Sequence, residues 1–417
     1  MRENSRIKTI IIGFILILAA VGVIRAAAGL VMRATPNYQK IETADAGGEG
    51  NKGGKPDDDR EPQAAEDGGD GGTEANTVES DAAEPVIKET ETAEPETTEP
   101  EPEPPAEIKL LFAGDVYLSD HVLNAYQKAG GIHGVLDQNY LDYIAAADLF
   151  MVNEEFPFSS RGTAADKTYT FRLPPEKISM FHEMGIDIVT LANNHTLDFG
   201  REALEDTCLT LDQAGIRYVG AGTDLNRAKQ LEVMEVQGKK IGFLGASRVI
   251  PYGDWGATES RSGLFLTYDP AQLLKEIENA REECDFLVVY VHWGIERNEK
   301  PETYQKNMGR QYIDAGADLV IGSHPHVLQG IEYYNGKPIV YSMGNFVFGS
   351  SIPKTMLLQA DISDEGVSLS LIPGTSGAGY TRALEDGAKK REFYNYLESI
   401  SFDITIDDEG VVHSIQP

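Results

Sequence analysis

A chain of 417 residues that is 41% hydrophobic is long enough for one large or two medium folded domains. Its net charge of −31 is unevenly placed, with +5 on residues 1–40, −18 on residues 41–107 and −18 on residues 108–417. An acidic folded part excludes nucleic acid as a partner, because neutralising phosphates requires a basic patch.

The N-terminal residues 1–8 carry Arg2, Arg6 and Lys8 and read as a cytoplasmic tail. Residues 9–32 hold one charge, Arg25. At about 1.5 Å rise per residue this stretch spans roughly 36 Å, enough for a hydrocarbon core of about 30 Å. The positive flank stays cytoplasmic, so the rest of the chain is expected outside, on a single-pass signal anchor in the cell membrane. The competing reading is a cleaved signal peptide with Ala26 to Ala28 near the cut. Both readings export the large domain. Residues 33–106 are rich in Gly, Glu, Asp, Thr and Pro and end in "EPETTEPEPEPPAE". They lack the apolar side chains that offset ordering entropy and read as a disordered, self-repelling tether.

From residue 107 to 417 strand-like apolar runs alternate with helical patterns, the signature of an α/β domain with mixed sheets packed face to face and flanked by helices. The spacing predicts a helix over Arg201–Ala214 stopped by Gly215, a strand in "KKIGFLGAS", a helix over Pro270–Arg281, and a buried strand over Phe286–Val291. A further helix is expected over Thr303–Ala315, and "GIEYYNGKPIVYSMGNFVF" reads as a hairpin turning at Asn335-Gly336. Cys208 falls on an apolar helical stripe with Leu204 and Leu211, and Cys284 just precedes a strand. Both read as small buried hydrophobes, with no disulfide needed.

The apolar runs share an ending. "IKLLFAGD" stops on Asp115, "ADLFMVNEE" on Asn153, Glu154 and Glu155, "IDIVTLANNH" on Asn193, Asn194 and His195, "DFLVVYVH" on His292, and "GADLVIGSHPH" on His324 and His326. Ligands gather at the carboxyl ends of strands in open α/β sheets, so these ends can build one metal site. A mixed imidazole and carboxylate set suits one or two ions of zinc, manganese or iron better than calcium. Two such ions call for a shared carboxylate, from Glu155 or Asp115. Alternation along the strand lets only one of Glu154 and Glu155 point inward, and Glu155 is the better candidate. Asp198 lies three residues after His195 and can orient its imidazole for proton transfer, a role compatible with capping the following helix. Arg172, Glu296 and Asn345 are candidate substrate-binding or rim residues, and Arg248 is a weaker anion-binding candidate.

The motifs "AGDV", "NEEFPF", "LANNHTLDFG", "HWGIE", "GADLVIGSHPHVLQGIE" and "YSMGNFVF", in that order, resemble the CapA/PgsA family associated with bacterial poly-γ-glutamate capsule synthesis. The resemblance implies a calcineurin-like metallophosphatase fold, a four-layer α/β/β/α sandwich. It implies metal-ligand positions for Asp115, Glu155, Asn194, His292, His324 and His326, and a catalytic role for His195. Metallophosphatases carry Asp-x-His at the first strand, whereas Asp115 is followed by Val116 and Tyr117, so one metal site lacks a usual ligand. Family patterns often read Asn-Leu-Glu where this chain has Asn153-Glu154-Glu155. Two functions follow as expectations. One is a membrane-anchored metallohydrolase acting on an anionic cell-surface polymer or its precursor. The other is a non-catalytic accessory that binds the polymer or holds capsule synthase subunits together.

Overall fold

The computed structural model describes residues 107–415, so the expected anchor at 9–32 and tether at 33–106 lie outside the described residues. Among the described residues no helix is long and apolar enough to cross a membrane. In chain order the strands are β1 (Ile108–Val116), β2 (Leu149–Glu154), β3 (Ile188–Thr190), β4 (Arg217–Val219), β5 (Ala221–Gly222), β6 (Glu232–Val236), β7 (Lys239–Ser247), β8 (Gly263–Leu264) and β9 (Phe286–His292). They continue with β10 (Leu319–Ser323), β11 (Leu328–Tyr334), β12 (Lys337–Met343), β13 (Asn345–Val347), β14 (Ser351–Ser363), β15 (Gly366–Gly377), β16 (Tyr380–Ala383), β17 (Ile404–Ile406) and β18 (Val411–Ser414). The helices are α1 (Asp120–Ala129), α2 (Gln138–Ala145), α3 (Ser179–Glu183), α4 (Arg201–Ala214), α5 (Leu225–Ala228), α6 (Ala271–Ala280), α7 (Thr303–Ala315) and α8 (Gly387–Ile400).

The strands form two mixed sheets and a small β5–β8 ribbon. The larger sheet runs β17-β18-β15-β14-β1-β2-β3-β4, with β13 also paired to β1, and the smaller runs β11-β12-β10-β9-β7-β6. β9 sits between parallel neighbours β7 and β10, and all seven of its residues are buried. A strand covered on both faces needs a continuous apolar run, which is what "FLVVYV" supplies. Alternation then sorts its side chains. Val288 and Tyr290 join Phe112, Met151 and Val219 in the layer between the sheets, while Leu287, Val289 and Val291 pack on Ile277, Met308 and Tyr312 of α6 and α7. On the far face of the larger sheet, Leu111, Phe150 and Val152 pack on Val122, Tyr140, Leu204 and Leu211 of α1, α2 and α4. Each sheet therefore carries helices on its outer face. Fully burying one such aliphatic or aromatic side chain contributes roughly 1.5–3 kcal/mol, so this layering dominates the stability of the fold.

The α/β expectation is met, and several boundaries coincide with the sequence reading. α4 ends at Ala214 with Gly215 accepting the reversal of the chain, α7 spans Thr303–Ala315, and the β11–β12 hairpin turns at Asn335-Gly336. Cys208 and Cys284 are buried and unpaired.

Register brings the chemistry to one edge. In the larger sheet Asn345 of β13 pairs with Asp115 of β1, Asp115 with Asn153 of β2, and Asn153 with Thr190 of β3. In the smaller sheet Ser247 of β7 pairs with His292 of β9, and His292 with Ser323 of β10. Two motif glycines allow the close approaches this requires. A Cβ on Gly114 would lie 1.8 Å from the Gly344 carbonyl oxygen, and one on Gly322 would lie 2.1 Å from that of Tyr341.

Candidate metal centre

Asp115 is wholly buried near the end of β1 and accepts a hydrogen bond from Asn153 Nδ2 at 2.8 Å. Asn153 Oδ1 in turn accepts from Asn193 Nδ2 at 3.0 Å, and Asn193 also donates to the Glu154 carbonyl at 2.6 Å. The "ANN" and "NEE" motifs are thus tied to one another before either reaches a ligand.

Glu155 follows β2 and is wholly buried. Its Oε1 lies 3.7 Å from His292 Nε2 and its Oε2 lies 3.9 Å from His326 Nδ1. Asp115 Oδ2 is 3.2 Å from His326 Nδ1. Three sets of ligand atoms cluster within 4.8 Å: Glu155, His292 and His324; Asp115, Glu155 and His326; and Glu296, His324 and His326. Glu155 belongs to the first two and supplies the shared carboxylate. Asp115 Oδ2, both Glu155 oxygens and His324 Nδ1 are buried without a hydrogen-bond partner. Buried polar atoms are ordinarily satisfied, so four orphaned ligand atoms converging on one spot fit a divalent cation. The donors, imidazole and carboxylate, fit zinc, manganese or iron.

His292 is held from behind, as ligating histidines commonly are. His292 Nδ1 contacts Ser323 Oγ at 3.0 Å and its Nε2 contacts Asn194 Oδ1 at 2.8 Å. His326 Nδ1 contacts Asn345 Oδ1 at 2.8 Å. His324 and His326 flank Pro325 with φ of 99° and 57°. A left-handed backbone at non-glycine residues costs about 1–3 kcal/mol each, and such strain concentrates at functional sites.

Electrostatics split the histidines. Burial, helped by the neighbouring imidazoles, pushes His292 and His324 well below the ordinary histidine range and keeps them neutral, the ligating form. Burial also opposes charge on His326, but Glu155, Asp115 and Asn345 outweigh it and push the imidazole up to about 10. Glu155 is pushed well above the carboxylate range, first by burial and then by Asp115.

His195 sits beside this set. Its Nδ1 is 2.7 Å from Asp198 Oδ2, and its ring stacks on Phe171 with centroids 4.1 Å apart. Asp198 Oδ2 also accepts from the Phe171 amide at 2.7 Å, and its Oδ1 accepts from Lys167 Nζ at 2.6 Å. The second role open to Asp198, capping α4, is not taken: Gly200 is the N-cap and receives no side-chain bond. Because the Asp198 contact is the shortest at Nδ1, it directs the Nδ1 proton to the carboxylate and leaves Nε2 to exchange one. Burial pulls His195 below the ordinary range, opposed by Asp198 and aided by Lys167.

Of the substrate-binding candidates, Asn345 is buried and orders His326 rather than standing on the rim. Glu296 is exposed, with a carboxylate oxygen among the His324 and His326 donors. Arg172 lays its guanidinium 3.9 Å from the Phe199 ring and donates to the Arg161 carbonyl at 2.9 Å. Two further positions, Lys167 and Ser323, are not announced by the motifs. Lys167 reaches Asp198, the Asn194 carbonyl at 2.7 Å and His195 Nδ1 at 3.2 Å from a loop that carries no motif. Ser323 stood inside "GSHPH" and its pairing with His292 was within reach of a strand-register argument. Tyr117 stacks on Phe171 with centroids 4.0 Å apart, and Phe171 in turn stacks on His195.

The chain matches the model of a family described as bacterial capsule synthesis protein PGA_cap over residues 109–350, a span that contains every residue of this centre. The chain belongs to that capsule synthesis protein family. It is 29% identical over 303 residues to the capsule biosynthesis protein CapA of Bacillus anthracis, covering 70% of this chain and 73% of that protein. It is 32% identical over 247 residues to the PGA biosynthesis protein CapA of Bacillus subtilis (strain 168), covering 58% of this chain and 64% of that one. Among solved structures, NAD nucleotidase of Haemophilus influenzae aligns with a TM-score of 0.39 at 14% identity, covering 73% of this chain and 64% of that one, too distant to carry an argument.

Proposed function

We propose that this family member is an exported, membrane-anchored metal-dependent hydrolase with a metallophosphatase-like α/β/β/α arrangement, acting on an acidic cell-surface polymer or its precursor during capsule assembly. The observation that carries the reading is Glu155, common to two adjacent sets of buried ligand atoms, with the His195–Asp198 pair beside them. Asp115, Glu155, His292, His324 and His326, with the Asn194 amide oxygen close by, would hold one or two ions of zinc, manganese or iron. A divalent ion there supplies Lewis-acid polarisation of a phosphoryl or γ-glutamyl carbonyl oxygen.

The chain's own groups account for the rest. Asp198 fixes the His195 ring through Nδ1, Phe171 stacks its face, and Nε2 holds or releases the proton that the leaving group needs. Lys167 pins Asp198 and limits how far that carboxylate stabilises a charged imidazole. The positive flank and apolar run at residues 1–32 support placement of this domain outside the membrane. The test is metal analysis of the full-length protein together with assays on phosphodiester and γ-glutamyl model substrates. Metal at background in the wild type, with turnover unaffected by His292→Ala or His326→Ala, sinks the proposal.

A second reading, a non-catalytic accessory that guides the polymer or holds its synthase subunits, is favoured by one observation. Tyr117 occupies the place of a usual ligand and packs on Phe171 and Phe348 instead. Full capsule complementation by His195→Ala would select that reading.

A further inference from the structure

The folded part carries −18 on residues 108–417, and Arg161, Arg227, Arg281, Arg310 and Arg391 each pair with a carboxylate. Arg248 is held by aromatic rings instead. It follows the last residue of β7, and its amide donates to the His292 carbonyl at 2.8 Å, so it stands one strand from the metal centre. Its guanidinium carbon lies 3.9 Å from the centroid of Tyr304 and 5.4 Å from that of Tyr268. Its Nε is buried without a hydrogen-bond partner, while the guanidinium is hydrogen-bonded to the Tyr304 hydroxyl.

This is an unusual way to keep a charged fork. A buried N–H left without an acceptor is costly, more so on a charged group, and calls for a reason. Aromatic faces hold a guanidinium in plane without neutralising it. A fork so held, with a donor unsatisfied, is preorganised for an oxyanion, which it can bind through two parallel N–H···O bonds. The ring partners come from α7 and from the segment after β8, so the guanidinium lies on the helix side of the sheet edge. The residue's link to the centre is the backbone bond to His292, itself one of the ligand candidates.

We infer that Arg248, seated between Tyr268 and Tyr304, is an anion subsite that takes a side carboxylate of an acidic polymer while another unit of the same chain occupies the Glu155 centre. This rests on the polymer reading above. The test measures binding of a γ-linked glutamate hexamer, and separately of inorganic phosphate, to full-length wild type, Arg248→Ala and Arg248→Lys at low salt. Metal content and melting temperature are followed alongside. The expected result is hexamer binding weakened roughly tenfold or more in Arg248→Ala and less in Arg248→Lys, which keeps the charge and loses the fork, with metal content unchanged. Should Arg248→Ala fail to fold, Arg248→Lys against Arg248→Gln carries the comparison. Equal hexamer affinity in wild type and Arg248→Ala overturns the subsite and leaves the polymer reading standing. A wild type that binds phosphate and not the hexamer, or neither, overturns both.

Discussion

Glu154 and Glu155 are neighbours in sequence, and their carboxylates leave the sheet on opposite sides. Phe150 and Val152 face the helix layer, so Glu154 follows them, and its charge is felt by Cys208 of α4. Glu155 faces the other way, into the ligand set. Both Glu154 oxygens are buried without a partner.

Glu154→Leu is therefore expected to stabilise the fold by about 1–3 kcal/mol, the cost of a buried unsatisfied polar group. Burial raises the Glu154 pKa well above its unfolded value. Its contribution is then whole below the unfolded value of about 4.3 and is lost as pH rises through the folded value, so the gap between variant and wild type widens from about pH 4 upward. Denaturant unfolding at several pH values checks this. A variant less stable than wild type at pH 7 would count against the placement.

Metal uptake should release protons and strengthen as pH rises. His326 is pushed up to about 10 against its burial, chiefly by Glu155 and Asp115, so it carries a proton at neutral pH that a cation must displace. Calorimetric titration with zinc in buffers of different ionisation enthalpy reads the proton count directly. A count of zero at pH 7 contradicts the charge arrangement described.

Ser323 supports His292 from the neighbouring strand. Ser323→Ala is expected to weaken metal affinity by about 10–100-fold with little change in melting temperature of the apoprotein. An unchanged affinity would mean that Asn194 alone orients the ring.

His195→Ala should lower turnover of a responsive phosphodiester or γ-glutamyl substrate by about 10²–10⁴ while metal content stays at the wild-type value. Asp198→Asn, which keeps the shape and loses the charge facing Nδ1, should fall between wild type and His195→Ala. If His195→Ala also empties the centre of metal, the residue is a ligand and not a proton carrier.

The site was most legible where one local rule decides it. A buried parallel strand must be apolar throughout and must stop where the chain turns, so Asp115, His292, His324 and His326 announce themselves at the ends of their runs. The NG hairpin and the glycine stop of α4 are equally local. What escapes is tertiary. Lys167 reaches Asp198 along a loop path that no periodicity encodes, and Asn345 meets His326 because β13 pairs with β1 across more than two hundred residues. The dual possibility for Asp198 is settled by the loop containing Phe171, whose amide and ring take up the carboxylate and the imidazole together.

Glu155 is common to both ligand sets, so metal stoichiometry reports on it directly. Full-length wild type, Glu155→Ala and His292→Ala, each equilibrated with zinc and freed of excess, are compared by elemental analysis. Tightly held zinc is expected in the wild type, with a partial loss in His292→Ala, which removes a ligand from one set, and loss from both sets in Glu155→Ala. Zinc in Glu155→Ala equal to that in the wild type, or none in the wild type, would contradict a Glu155 shared between the sets.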